Sequence, residues 1–165
     1  MLKPPIIQIR LDDLDKVDNQ LNYSEKYVVL WDKTANGTVN AKYRSKGIVV
    51  ELEKEQDRVA RKLKTEEDIG ETLRAKMVSA MRIGKLLIIC VGEEMPDFDK
   101  YKVPDSFGIT WDDVFNWGEF RKKENYMKLL KENENYDKFV NKGKFEMDKD
   151  FNVAFMSRYV KESDF

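Results

Sequence analysis

The stretch Met81-Arg82-Ile83-Gly84-Lys85-Leu86-Leu87-Ile88-Ile89-Cys90-Val91-Gly92-Glu93-Glu94 decides the fold. Helical spacing runs into it: Ile69, Leu73, Met77, Ala80 and Met81 recur every three or four positions and make one buried face. Arg82 suits the negative end of that helix, and Gly84 stops it. Leu86 to Val91 then run without a polar residue. A strand apolar on both faces belongs in the middle of a sheet covered on both sides. Gly92, Glu93 and Glu94 read as a loop at the strand's C-terminal end, where α/β sheets hold their ligands.

Working outward, Thr65-Glu66-Glu67-Asp68 reads as a capping box, with Asp in place of the usual Glu or Gln. Glu53 to Lys64 reads as a charged helix with Val59, Ala60 and Leu63 on its apolar side. Tyr27 to Trp31 is a strand, Asp32 to Gly37 a turn and Val39 to Lys46 a short helix, with Gly47 at its C′ position. Ile48 to Leu52 is the next strand. Strand, short helix, strand makes a parallel crossover.

Downstream, Pro96 and Pro104 bracket a loop from Met95 to Gly108. Thr110 starts a helix that Gly118 breaks. Phe120 to Lys131 continues as helix, and Tyr136, Phe139 and Val140 form a shorter helical set ending near Gly143. Lys144 to Met147 and Phe151 to Arg158 read as strand around the turn Asp148-Lys149-Asp150. The order β-α-β-α-α-β-α-α-β predicts a three-layer α/β/α domain with a mostly parallel central sheet.

The domain is expected over residues 23–165, preceded by an arm over residues 1–22 with Pro4-Pro5, Ile6, Ile7 and Ile9, then Leu14, Val17 and Leu21 along a short helix. In a chain of 165 residues, 41% hydrophobic, there is enough apolar material for one core. With 30 basic and 31 acidic residues the net charge is −1, which argues against a nucleic-acid partner. Without a long apolar stretch, no membrane partner is expected. Cys90 is the only cysteine, in a run where it acts as a small buried hydrophobe, and a reducing, cytoplasmic location follows. There is no histidine, which excludes Ser-His-Asp and Cys-His triads and Cys-His zinc sites.

The remaining polar residues follow the plan of a P-loop hydrolase. Asp32, Lys33, Gly37 and Thr38 lie where a phosphate loop would be, Glu93 and Glu94 where magnesium would be held, and Ser157 and Arg158 where a phosphate would be sensed. A phosphate loop needs GxxxxGK[ST], so that backbone N–H groups approach the phosphates and Lys neutralises charge. With Gly37 as the second glycine, Asp32 falls at the first, Thr38 at the lysine and Val39 at the hydroxyl. An Asp there repels phosphate. The acid strand also departs, since Cys90-Val91-Gly92 precedes Glu93-Glu94 where a hydrolase places Asp at the strand end. No catalytic residue, cofactor or metal is therefore expected. The alternative is a small ATP- or GTP-binding enzyme or switch with a divergent phosphate loop.

The basic pieces Arg61-Lys62-Leu63-Lys64 and Arg121-Lys122-Lys123 read as solvated helix faces, or as contacts to an acidic surface such as a microtubule wall. Trp111, Phe115 and Trp117 read as core, or as a protein-binding patch where exposed. The interaction candidates are Ile6, Ile7, Ile9, Leu14, Trp111, Trp117, Arg121, Lys122 and Lys123.

Three pieces resemble a known family. They are Tyr27-Val28-Val29-Leu30-Trp31-Asp32, the run Ala80-x-Arg82-x-Gly84-Lys85 leading into Val91-Gly92-Glu93-Glu94, and Asp150 to Arg158. Together they look like the fifth AAA+ module of dynein heavy chains, in order and approximate spacing from about residue 22 to 165. The resemblance implies an AAA+-like core without a working nucleotide site. It also implies a free-standing, non-catalytic structural protein of the cytoskeleton, at the doublet microtubules of the ciliary axoneme, with tubulin and axonemal proteins as partners. On this reading the chain is expected to be without the stalk, ring neighbours and helical lid of that motor.

Overall fold

The computed structural model describes residues 11–23, 25–33 and 37–158. In chain order its elements are α1 (Leu14–Tyr23), β1 (Val28–Asp32), α2 (Thr38–Arg44), β2 (Ile48–Glu51), α3 (Leu52–Ala60), α4 (Glu66–Ile83), β3 (Leu86–Gly92), the short helices α5 (Trp111–Phe115), α6 (Trp117–Phe120) and α7 (Lys123–Tyr126), and β4 (Asn152–Arg158). The four strands form one parallel sheet in the order β1-β4-β3-β2. The chain is an α/β fold with a parallel central sheet, as expected. The first crossover spans further than expected: β1 and β2 are parallel but lie at opposite edges, with β4 and β3 between them.

Strand alternation sorts the core into two layers. Leu87, Ile89 and Val91 of β3 and Val153 and Phe155 of β4 face the larger layer, with Leu52 of α3 and Ile69, Leu73, Met77 and Met81 of α4. Ile88, Cys90, Ala154 and Met156 face the other way, onto Val17 of α1 and Tyr43 of α2. Both faces of β3 and β4 are thus covered, and each fully buried Leu or Ile contributes about 1.5–3 kcal/mol. The described part of the N-terminal arm packs on this second face. Asp18 of α1 is bridged to Lys42 and Lys46, at 3.4 and 3.1 Å, beside α2. No helix among the described residues is long and apolar enough to cross a membrane.

The ends of α4 and the start of α5 follow their sequence signals, and Gly47 does not. Thr65 and Asp68 exchange side-chain and backbone hydrogen bonds at the start of α4, and Thr110 and Asp113 do the same at α5. Gly84 ends α4 in the left-handed region at φ 64°. Gly47 is not a left-handed cap: a Cβ there would lie 2.4 Å from the Leu86 carbonyl, so the glycine is needed where the chain entering β2 meets β3.

Gly70 has the same cause inside α4. A Cβ there would lie 2.6 and 2.7 Å from the carbonyl oxygens of Lys102 and Tyr101, which are backbone and cannot rotate aside. Helix propensity alone favours Ala over Gly by about 1 kcal/mol. Overpacking against fixed neighbours costs about 1–3 kcal/mol. Gly70→Ala is therefore expected to lower the urea midpoint, whereas a rise would place the 101–102 backbone farther from α4.

The C-terminal third differs from its sequence reading. The helix from Thr110 breaks at Asn116, in extended conformation, and Gly118 lies inside α6. The expected helix from Phe120 to Lys131 is α7 and a 3-10 turn at Met127–Leu129, because Lys122 is extended at ψ 134°. The segment around Tyr136, Phe139 and Val140 is not helical. Asp137 accepts from the backbone N–H groups of Phe139 and Asn141, a local pattern that competes with a helix. Lys144 to Met147 is not a strand. Phe145 turns into the core beside Tyr126 at 6.1 Å, and its N–H donates to the Asn135 side chain.

Candidate functional site

The C-terminal edge of the sheet collects the predicted polar residues from three strands. Parallel register places Asp32 beside Arg158 and Ser157 beside Gly92. The β3–β4 ladder shifts register between Cys90 and Gly92, so β3 carries one extra residue at Val91 and bends there. The Ser157 hydroxyl donates to the Gly92 carbonyl at 2.8 Å, with the Glu93 carbonyl at 3.3 Å. Ser157 is buried, and its hydroxyl closes the bulge instead of facing outward.

Asp32 is also buried, at 3% exposure, while Lys33, Glu93 and Glu94 are exposed. Gly37, in the left-handed region at φ 62°, precedes α2, and its carbonyl accepts from Ala41 N–H at 2.9 Å. Thr38 is the exposed first residue of α2. Among the described residues no three His, Cys, Asp or Glu side chains gather as cation ligands. The fold thus brings Asp32, Ser157 and the Gly92 turn to one edge, but it does not converge Glu93 and Glu94 on a third carboxylate.

The interaction candidates separate. Ile6, Ile7 and Ile9 lie outside the described residues, and Leu14 begins α1. Trp111 is core and not a surface contact: it is buried, stacks on Phe115 at 5.6 Å, and its indole N–H donates to the Tyr101 carbonyl. Trp117 is half-buried under the Arg121 guanidinium, at 4.3 Å. Arg121 donates to the Phe151 carbonyl, and burial lowers its pKa. Of Trp111, Trp117, Arg121, Lys122 and Lys123, only the two lysines are exposed, and Lys122 pairs with Glu119 at 2.8 Å.

Of two arginines on α4, Arg74 escaped the sequence reading and Arg82 was read only as a charge at the helix end. Arg74 is 1% exposed, and all five of its donors are filled. Its Nε and one terminal nitrogen grip Glu71, both at 2.8 Å. The terminal nitrogens also reach Glu134 at 2.7 and 2.9 Å and the Leu129 carbonyl at 2.7 Å. Burial alone would lower the guanidinium's pKa, and the hydrogen bonds it donates to Glu71 and Glu134 reverse this and raise it. Arg82, two turns on, donates to the Glu134 and Tyr136 carbonyls at 2.9 and 3.0 Å. The two arginines strap residues 129–136 along α4. The available signal was an arginine beside Leu73 and three positions before Met77, on the helix's apolar side.

The chain matches no protein-family model, no curated protein and no solved structure.

Proposed function

We propose that this chain is a non-catalytic interaction protein of a cytoskeletal assembly, associated with the doublet microtubules of the ciliary axoneme. The observation that supports its non-catalytic character is the Ser157 hydroxyl, bonded inward to the Gly92 carbonyl. At this edge of the sheet a polar side chain closes the fold, and the neighbouring acids Glu93 and Glu94 point into solvent. The missing phosphate-loop lysine points the same way. The cytoskeletal address rests on the resemblance of three sequence pieces to a dynein AAA+ module.

Two measurements test the reading separately. Titration of the full chain with labelled ATP and GTP, with and without magnesium, is expected to show no saturable micromolar binding. Saturable magnesium-dependent binding would favour a nucleotide switch, with Glu93→Gln and Glu94→Gln as its first variants. Co-sedimentation with microtubules is expected and should weaken as salt rises. No pelleting at low salt would remove the cytoskeletal address and leave the nucleotide result standing.

A further inference from the structure

The loop from Tyr136 to Lys142 is built as a rigid tongue. Tyr136 and Lys142 form an antiparallel bridge at its base. Inside it the Asp137 carboxylate accepts from the N–H groups of Phe139 and Asn141 at 2.8 and 2.9 Å, and from the Asn141 side-chain amide at 2.8 Å. This network holds Val140 at φ 67°, a conformation that a β-branched residue adopts only when its surroundings impose it. Backbone strain of this kind collects at binding clamps. The tongue uses its rigidity to push two apolar side chains outward: Phe139 is 73% and Val140 72% exposed.

The charge around them is mixed, with basic residues in excess. The tongue forms one wall of a groove of about 930 Å³, lined by Arg82, Lys138, Lys142, Lys144 and Lys149 against Asp137, Glu146 and Asp148. Asp148 is already engaged by Lys138 at 3.2 Å. Among the described ion pairs none involves Lys142 or Lys144, and both are exposed. Phe139 on the groove wall, with exposed Val140 next to it and uncompensated lysines beside them, complements a peptide with an apolar anchor between carboxylates. A bilayer would instead meet a convex apolar surface without acids among its lysines.

We propose that the tongue and its groove are a docking site for an acidic segment of a partner protein, which sets an apolar side chain against Phe139 and Val140 and its carboxylates at Lys142 and Lys144. The proposal rests on reading the chain as an interaction protein and is independent of the cytoskeletal address.

The test is a selection of random displayed peptides on the immobilised full chain, followed by titration of the enriched peptide in synthetic form. Enriched peptides are expected to carry Asp or Glu flanking an aromatic or aliphatic residue. Phe139→Ser is expected to weaken the synthetic peptide by roughly tenfold or more. Lys142→Glu with Lys144→Glu should weaken it by a similar factor and flatten its salt dependence. All three positions are exposed, and an unchanged thermal midpoint checks that the variants fold. Failure to enrich any peptide, enrichment of basic or uncharged sequences, or peptides indifferent to Phe139→Ser would overturn the proposal. So would Phe139-dependent binding to phosphatidylserine vesicles without peptide enrichment, which would assign the tongue to a membrane. Loss of microtubule pelleting alone would overturn the address and not this site.

Discussion

Replacing Arg74 with Ala is expected to lower folding stability by about 3–5 kcal/mol, the loss seen when one partner of a buried ion pair is removed. In a domain of this size that is a fall of about 10 °C in Tm. Exposed ion pairs contribute about 1 kcal/mol or less, so burial decides the difference. The Arg74 side chain is 1% exposed, and Glu134 is 21%. Without the guanidinium, the Glu71 and Glu134 carboxylates lose their shared partner and the Leu129 carbonyl loses its donor. Arg74→Lys should recover little, because a single ammonium cannot replace a planar fork with five donors. Arg61→Ala is the control: its pair with Asp57 is 70% and 56% exposed, and its loss should stay within about 0.5 kcal/mol.

The same cluster predicts an acid limb in the wild-type stability curve. The hydrogen bond from Arg74 to Glu71 leads the causes that hold the Glu71 carboxyl at about 2, below its ordinary 4.5. Burial pushes Glu134 up, and the hydrogen bonds from Arg74 and the Lys131 N–H together more than offset that, so it too titrates low. A carboxyl depressed in the folded state stabilises above its unfolded pKa and loses that contribution as pH falls through the folded one. Urea midpoints should therefore fall between about pH 4.5 and pH 2. Arg74→Ala should be less stable throughout and flatter across this window. A variant curve parallel to the wild type would place the acid sensitivity elsewhere. Because Glu71 is 42% exposed, solvent screening leaves much of the slope to Glu134.

What the sequence made legible was its regular periodicity. The apolar run after Gly84 marked the sheet's centre because a strand buried on both faces has no polar alternation to hide it. Thr65 and Thr110 marked helix starts because the capping geometry is local and reads from neighbouring residues. Beyond the local competition at Asp137, the misreadings have another physical origin. Between Asn116 and Lys149 the backbone is held by bonds from distant residues: Arg82 on the Glu134 and Tyr136 carbonyls, Asn135 on Phe145 N–H, and the Met81 carbonyl on Asp148 N–H. None of these leaves a period in the chain. Gly47 was misread for the same reason, since its cause is a β3 carbonyl far along the sequence. At the candidate site Asp32, Gly92 and Ser157 could be placed on one edge in advance. That the Ser157 hydroxyl points inward needed the β3 bulge, which no spacing announces.

Phe155→Ala is expected to cost about 3–5 kcal/mol. Phe155 lies on an inner strand, in register with Val29 of β1 and Ile89 of β3. Its ring stands edge-on to Phe115 at 5.1 Å and Phe98 at 5.8 Å, and those two rings meet at 4.8 Å. Phe115 in turn stacks on Trp111 and meets Tyr27 at 6.4 Å. One sheet residue thus seats residues 98–115, whose short helical turns have little cooperative strength of their own. Truncation leaves a cavity under that segment and removes aromatic pairs worth about 0.5–1.5 kcal/mol each beyond their buried area. Phe155→Leu, which keeps most of the volume, should lose much less. Hydrogen exchange separates this lesion from the one at Arg74: Phe155→Ala should release the amides of residues 98–115 first, and Arg74→Ala those of residues 129–136. If both variants opened the same segment, the aromatic seat and the arginine strap would be one cooperative unit, and the division of the outer layer between β4 and α4 would be wrong.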